Sequence, residues 1–404
     1  MNSFTKLFGL AVGAFAIGTE SYVVAGVLPT IASDLGVSVP VAGQLITAFA
    51  LTYAIGSPLI AVATSSVDRR RLLIASIATF GVFNLVAAFS HSYGWLLTAR
   101  IGMGLAAGTF MPAASAYAVA ATKMEHRGRA LSIIYGGLTV AMVIGAPVGV
   151  LLGEHFGWRF IFIGVAGLVF AALASLTLGL KPVRHGTVPS LGERIAIARR
   201  PDVLGTLAVT VVTLAGVYTI YSYLAPFLQQ TANLTGDAVA LIFFVFGLGS
   251  TAGNFISGGV ADRIGPRRVI AGALLGLVGI FATLSFVGVL VPAGVARWLV
   301  VPLIALWGLV GWSFPSAQQA HIAALAPKFA SITLSLNASA IYLGASLGAM
   351  IGSVVVAHGA VHQLGWAGAA CEAGAFALLR FARRRRSVAI ESRPPAAREP
   401  VLEI

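Results

Sequence analysis

The sequence predicts an all-α membrane protein with twelve transmembrane helices in two six-helix bundles related by a parallel repeat. Three observations carry this expectation. The 404 residues are 58% hydrophobic and only 10% charged, whereas a soluble domain is about a quarter charged. Apolar runs recur along nearly the whole chain, each long enough to cross a hydrocarbon layer of about 30 Å as one helix. Short motifs of the first half return, in the same order, in the second.

The runs fall at 6–29, 41–64, 72–91, 96–120, 131–153 and 157–180, then at 203–227, 237–261, 268–290, 298–321, 329–357 and 365–382. The first is too long for a signal-peptide core and leads into no soluble domain, so it reads as a retained span. Between the halves, 181–202 (KPVRHGTVPSLGERIAIARRPD) is basic, carries prolines and lacks a spanning run. The expected division is therefore an N-terminal bundle over 1–180, a linker over 181–202, a C-terminal bundle over 203–382 and a basic tail over 383–404.

Three echoes define the repeat. VDRRRLLIAS (67–76) answers ADRIGPRRVIAG (261–272), each after the second span of its half. GLAAGTFMP (104–112) answers GLVGWSFP (308–315), and GAPVG (145–149) answers GASLG (344–348). One echo among so many glycines would mean little. Three in register, on equivalent spans of the same orientation, indicate a duplicated six-helix unit whose axis runs along the membrane normal.

The net charge is +13, and its distribution is more informative than its size. With the N-terminus placed in the cytoplasm, 23 of the 26 Lys and Arg residues lie on that side and two, Arg159 and Arg297, on the other. This is the positive-inside pattern, and it places both termini in the cytoplasm of a bacterial inner-membrane protein. It also argues against a nucleic-acid partner. The cluster Arg383 to Arg386 suits anionic lipid headgroups instead. The single Cys371 allows no internal disulfide. No P-loop and no metal-ligand spacing is present, so neither ATP drive nor a cofactor is expected and a proton gradient is the expected energy source.

Several segments resemble the major facilitator superfamily. They are GTESYVVAGVLPTIASDLGVS (18–38), VAGQLITAFALTYAIGSPL (41–59), DRRRLL (68–73), RIGMGLAAGTF (100–110), RGRALS (127–132), GGLTVAMVIGAPVGVLLGEHFGWRFIF (136–162) and ADRIGPRR (261–268). The resemblance runs to about Phe381. Within the superfamily the chain is most similar to the bacterial drug:proton antiporter branch, among members like the arabinose-efflux and chloramphenicol-efflux permeases. It implies two bundles around a central cavity lined by spans 1, 4, 7 and 10, alternating between inward- and outward-open states and working as a monomer.

Glu20 lies in the first span and Arg100 in the fourth, two of only three ionisable residues this deep in apolar runs. A lone carboxylate at that depth is costly. At a helical rise of 1.5 Å per residue the two sit within roughly 5 Å of the same depth. Two roles fit them: a proton-coupling pair whose contact forms and breaks during transport, or a static ion pair joining spans 1 and 4. Arg100 matches the arginine of the family's fourth-span motif. The third residue, Glu372, falls in span 12, which the resemblance places at the periphery, so a hydrated or snorkelling position is expected for it.

The gating motif of the resemblance maps to Asp68, Arg69 and Arg71, and to Asp262, Arg263, Arg267 and Arg268. An acid at a helix end can pair with arginines and with the start of a neighbouring helix, although a solvated basic loop would also place the arginines there. The first copy has Arg70 where the motif has glycine; the second keeps Gly265. Gly136, Gly137, Gly145, Pro147 and Gly149 match the antiporter motif of the fifth span, with Ala146 interposed. Small residues there allow close helix contact and proline bends the helix. Tyr22, Tyr218, Tyr221, Trp307, Gln318, Asn337 and Tyr342 are the candidate substrate contacts, aromatic faces with a few polar tips. Core packing and membrane aromatic belts account for such residues equally well.

The expected function is proton-coupled export of a small amphipathic molecule, an antibiotic such as a phenicol. A sugar or nucleoside exporter is the alternative within the same fold. A non-transporting sensor or scaffold would need a signalling domain, and the tail is too short for one. A membrane enzyme would need a catalytic cluster, which the chain does not supply.

Overall fold

The computed structural model describes residues 3–180, 190–359 and 361–391, with side chains over 7–180, 190–359 and 361–381. Residues 181–189 of the linker and the side chains of Arg383 to Arg386 lie outside the described residues.

Every regular element among the described residues is helical. The N-terminal half holds α1 (Ser3–Val23), α2 (Leu28–Asp34), α3 (Val39–Ala63), α4 (Arg69–Ala88), α5 (Tyr93–Ala120), α6 (Arg127–Val140), α7 (Ala146–Phe156) and α8 (Arg159–Gly179). A π-helical turn, Ala141–Gly145, joins α6 to α7 within one span. After the short α9 (Leu191–Ala198) come α10 (Pro201–Tyr221), α11 (Leu224–Ala232), α12 (Asp237–Ile264), α13 (Pro266–Leu290), α14 (Ala293–Leu325), α15 (Ala330–Ala357) and α16 (Leu364–Glu391).

Helix starts follow local chemistry. Ser38, Asp68 and Ser92 each accept a bond from a backbone N–H in the first turn of α3, α4 and α5. Pro29, Pro40, Pro201 and Pro266 stand in first turns, where a missing N–H costs nothing. Among the described residues ten helices are long and apolar enough to span, or eleven when α1 and α2, bent by 69°, count as one span. The bend separates α2 from the first span expected over 6–29. The remaining expected span is α16, whose apolar character is diluted by Glu372 and Arg380. It still holds the sixth place of its half, packed on α10 and α13.

The duplication is visible as one packing scheme used twice. In each half the second span packs on the fourth (α3 on α5, α12 on α14), and the third on the fourth and sixth (α4 on α5 and α8, α13 on α14 and α16). The first span packs on the fifth and sixth: α1 on α6 and α8, α10 on α15 and α16. The echoed glycines make these contacts. A methyl at Gly104 would meet the Phe49 carbonyl of α3, and one at Gly308 the Phe246 carbonyl of α12. Gly145 and Gly149 abut Thr19 and Val23 of α1, while Gly344 and Gly348 abut Val211 and Ala215 of α10.

The two bundles meet along two equivalent seams, α3 with α15 and α7 with α12. Their contacts concentrate at the end away from the termini. Gln44 donates to Ser353 (3.0 Å), Ser353 donates to the Pro40 carbonyl (3.0 Å), and His155 lies 2.9 Å from Asp237. The α3–α15 seam closes as far as stacked Tyr53 and Tyr342, whose ring centroids are 3.5 Å apart. Towards the termini the helices then part around a cavity of about 440 Å³ lined by Ala54, Ile55, Leu207, Val211, Leu336 and Leu343 among others.

Candidate functional site

Close packing of α1 on the fifth span sets the orientation of Glu20. Gly18 lies against Ala141 and Leu138, and Thr19 against Gly145. The next residue, Glu20, turns to α5, where its carboxylate pairs directly with the Arg100 Nη1. Glu20 is 0% exposed and Arg100 1%. The Arg100 Nε donates to the Leu45 carbonyl of α3 (3.1 Å), and the guanidinium sits 4.4 Å from the centroid of the Phe49 ring. A charged donor, a charged acceptor, a carbonyl and an aromatic face thus meet in a site sealed from solvent, with Glu20 Oε2 and Arg100 Nη2 left without a hydrogen-bond partner among the described residues. A buried pair of this kind holds only while both partners stay.

Around the pair the bundles contribute aromatic side chains. Tyr221 of α10 donates its hydroxyl to the Tyr22 carbonyl (3.2 Å) across the bundle seam, and the two rings meet edge-on at 6.3 Å. Tyr22, Tyr218 and Tyr342 are half-buried. Phe49 leans on Tyr342 at 6.4 Å and so connects the ion pair to the stacked tyrosines. Tyr53 and Phe49 escaped the sequence reading, whose candidate substrate contacts lay on spans 1, 7, 10 and 11. The tyrosine pair comes from spans 2 and 11, because those two cross at the seam. The four-residue spacing of Phe49 and Tyr53, which puts both rings on one helix face, was the available signal.

Other candidates fall elsewhere. Trp307 is fully buried within the C-terminal bundle against Phe246 (4.9 Å) and Phe281 (5.2 Å). Gln318 donates to the Thr206 carbonyl (2.8 Å) and to the Thr210 hydroxyl (2.9 Å), and Thr210 donates to the Asn337 side-chain oxygen (2.8 Å). With Gln318 and Asn337 at 1% and 2% exposure, this chain of bonds ties α10, α14 and α15 together.

Of the fifth-span residues, Gly137, Gly145 and Gly149 face α1, while Gly136 faces open space. Pro147 lies in the first turn of α7, directly after the π-helical turn. That turn also carries the contact between bundles. Gly247 of α12 lies against the Met142 carbonyl and Val143, a position with no echo to reveal it.

Asp68 accepts from the Arg71 N–H (3.1 Å) and so caps its own helix. Arg70 donates to the Thr177 carbonyl (2.7 Å) and Arg267 to the Leu379 carbonyl (3.5 Å). Among the described residues neither Asp68 nor Asp262 forms an ion pair, and Asp262, Arg263 and Arg268 are exposed.

Glu372 departs from expectation. It is neither hydrated nor snorkelling: it is 0% exposed and faces α10 at Gly216. The periphery of the bundle is still interior wherever α16 presses on its neighbours.

A further cluster at the end away from the termini was not foreseen. Asp34 accepts from Arg159 (2.6 Å) and from the Trp158 indole N–H (3.1 Å), and Arg159 also donates to the Ser90 carbonyl (2.9 Å). The Arg159 bond holds the Asp34 carboxyl below the usual carboxylate range. Arg159 is one of two basic residues on that side of the chain, and that scarcity was the signal for an acidic partner.

No group of three or more potential metal ligands occurs among the described residues. The profile of the Major Facilitator Superfamily matches residues 10–349. The chain is 31% identical to an uncharacterised MFS-type transporter, YbcL of Bacillus subtilis, over 91% of this chain and 93% of the relative. It is 33% identical to the inner membrane transport protein YdhP of Escherichia coli K12, over 87% and 89%. Among solved structures, a bacterial homologue of the human lysosomal transporter Spinster, inward-facing and occupied, superposes with a TM-score of 0.76 at 18% identity, over 96% of this chain and 98% of that one. A duplicated six-helix packing scheme around a central aromatic site, with this match along nearly the whole length, means that the chain belongs to the Major Facilitator Superfamily and is a multi-pass membrane transporter, not an enzyme.

Proposed function

We propose that the chain is a proton-coupled exporter of a small amphipathic molecule, working as a monomer in a bacterial inner membrane with both termini in the cytoplasm. The observation that carries this reading is the sealed Glu20–Arg100 pair set against the tyrosine-lined bundle seam. With the termini cytoplasmic, the conformation is inward-facing. The seams are closed on the outer side, the apolar cavity between α3, α10 and α15 lies on the inner side, and among the described residues neither aspartate of the two gating loops forms an ion pair. Glu20 is then an ionised carboxylate held by Arg100.

The cycle follows from electrostatics. An opposite charge nearby favours the ionised carboxylate, and separating the pair favours the protonated acid. As the bundles rock open to the outside, α1 and α5 shift, water reaches the pair and Glu20 takes a proton. Return to the inward-facing state restores the pair and drives that proton into the cytoplasm. Substrate occupying the aromatic wall between α1, α3, α10 and α15 is carried the other way. Aromatic faces with hydroxyl tips suit flat amphipathic molecules such as phenicols.

The test is uptake into everted vesicles energised by an acid-inside pH gradient, with a panel of phenicols, amphipathic cationic antibiotics, pentoses and nucleosides. At least one of the antibiotics should drive proton release in the wild type, and Glu20→Gln should abolish that release while leaving substrate binding. A hit confined to sugars or nucleosides would reassign the substrate. Proton-coupled efflux that survives Glu20→Gln with unchanged pH dependence would refute the coupling role.

A further inference from the structure

Glu372 has a surrounding unlike that of Glu20. Its carboxyl sits at the contact between α16 and α10, fully buried, and neither oxygen has a hydrogen-bond partner among the described residues. Glycine at 216 creates the space it occupies: a methyl there would collide with the Glu372 Oε1 and the Gly368 carbonyl.

Among the described residues no salt bridge reaches it from any element packed on α16. On α10 the ionisable groups are Asp202 at the start of the helix and Tyr218 and Tyr221, whose rings turn to the bundle seam. On α13 they are Arg267 and Arg268, at the first turn, with Arg267 directed to the Leu379 carbonyl. Between Ala330 and Ala357, α15 carries no charge, and its Tyr342 stacks on Tyr53. His362 lies two positions before the start of α16 and ten before the acid, and Arg380 follows the acid by eight. Cys371 is the adjacent residue, and its thiol brings no positive charge. An ionised carboxylate in this seat would lack solvent exposure, counter-ion and protein donors together, the combination proteins avoid by neutralising the group.

We propose that Glu372 is a second proton-binding site, loaded in this conformation and lying against the back of the cavity helix α10. The two buried acids of this transporter then hold opposite states at once. Glu20 is ionised and paired in the N-terminal bundle; Glu372 is neutral and unpaired in the C-terminal one. Gly216 is two residues from Tyr218, so any movement of α10 that follows the cavity also moves the seat of the Glu372 carboxyl. Separation of α10 from α16 admits water, and the proton leaves; reclosure requires its return. The proposal rests on the burial and surroundings of Glu372 and stands apart from the substrate and from the coupling role of Glu20.

Infrared spectroscopy of the full chain in lipid, stepped in pH and repeated in deuterated buffer, tests it. A protonated carboxylic acid has its own carbonyl band. That band should be present in the wild type and in Glu20→Gln, absent in Glu372→Gln, shifted by deuteration, and reversibly lost as the pH is raised. Glutamine is close in shape to the neutral acid, so Glu372→Gln should melt with the wild type. Should that variant not fold, Glu20→Gln decides alone, because Glu372 is then the one buried carboxyl among the described residues. Absence of the band in Glu20→Gln, or a band that neither deuterates nor titrates, overturns the proposal.

Discussion

Replacing Arg100 by Met removes the cation and keeps much of the side-chain length. Three contacts go with it: the Glu20 ion pair, the 3.1 Å bond from Nε to the Leu45 carbonyl, and the stack over Phe49 at 4.4 Å. Breaking a buried pair by removing one partner costs about 3–5 kcal/mol, chiefly because the remaining charge is stranded. The Leu45 bond and the stack contribute about 1–2 kcal/mol of net stability beside it. Arg100→Met alone should therefore lose most of 3–5 kcal/mol at neutral pH. The pair Arg100→Met with Glu20→Gln strands no charge and should recover all but about 1–2 kcal/mol. Acidification should narrow the gap between Arg100→Met and the wild type, since the stranded Glu20 can then take a proton. Melting in one detergent across pH, for the wild type, both single variants and the double variant, reads all of this. If Arg100→Met melts with the wild type, or the double variant melts no higher than Arg100→Met, the electrostatic account of the site is wrong.

Gly137→Ala should lower stability by about 1–3 kcal/mol, because its methyl would meet the Ala11 carbonyl of α1, whereas Gly136→Ala next to it faces open space and should be neutral or stabilising. Cysteines at Gln44 and Ser353, joined by oxidation in a Cys371→Ser background, should lock the α3–α15 seam and stop transport until reduced; full transport in the cross-linked form would show that this seam does not open. Asp34→Asn should cost up to about 1 kcal/mol at neutral pH, as an exposed pair does. The Asp34 carboxyl is held below its usual range, so its stabilisation is present above the unfolded carboxylate's value and is lost as pH falls through the lower folded one. The variant and the wild type should accordingly converge only in strong acid, which melting curves will show.

Hydropathy, charge placement and three echoes were sufficient to determine that this chain crosses a membrane many times as a duplicated bundle, because those properties follow from transferring a helix out of water and need no knowledge of its neighbours. Glu20 and Arg100 were legible for the same reason: a charge in an apolar run is conspicuous wherever the helix ends up. The rest depended on which helix faces meet. A tyrosine at 53 or 342 reads like any membrane aromatic until spans 2 and 11 cross and stack them. Trp307, Gln318 and Asn337 look like cavity residues until the turn of their helices places them among their own bundle's interior contacts. Glu372 looks peripheral by its position in the chain, and only the absence of a side chain at Gly216, one helix away, reveals the space that holds it. Burial and partnership belong to pairs of helices and not to one of them, so a single strand of sequence carries the cost of a buried group without carrying its surroundings.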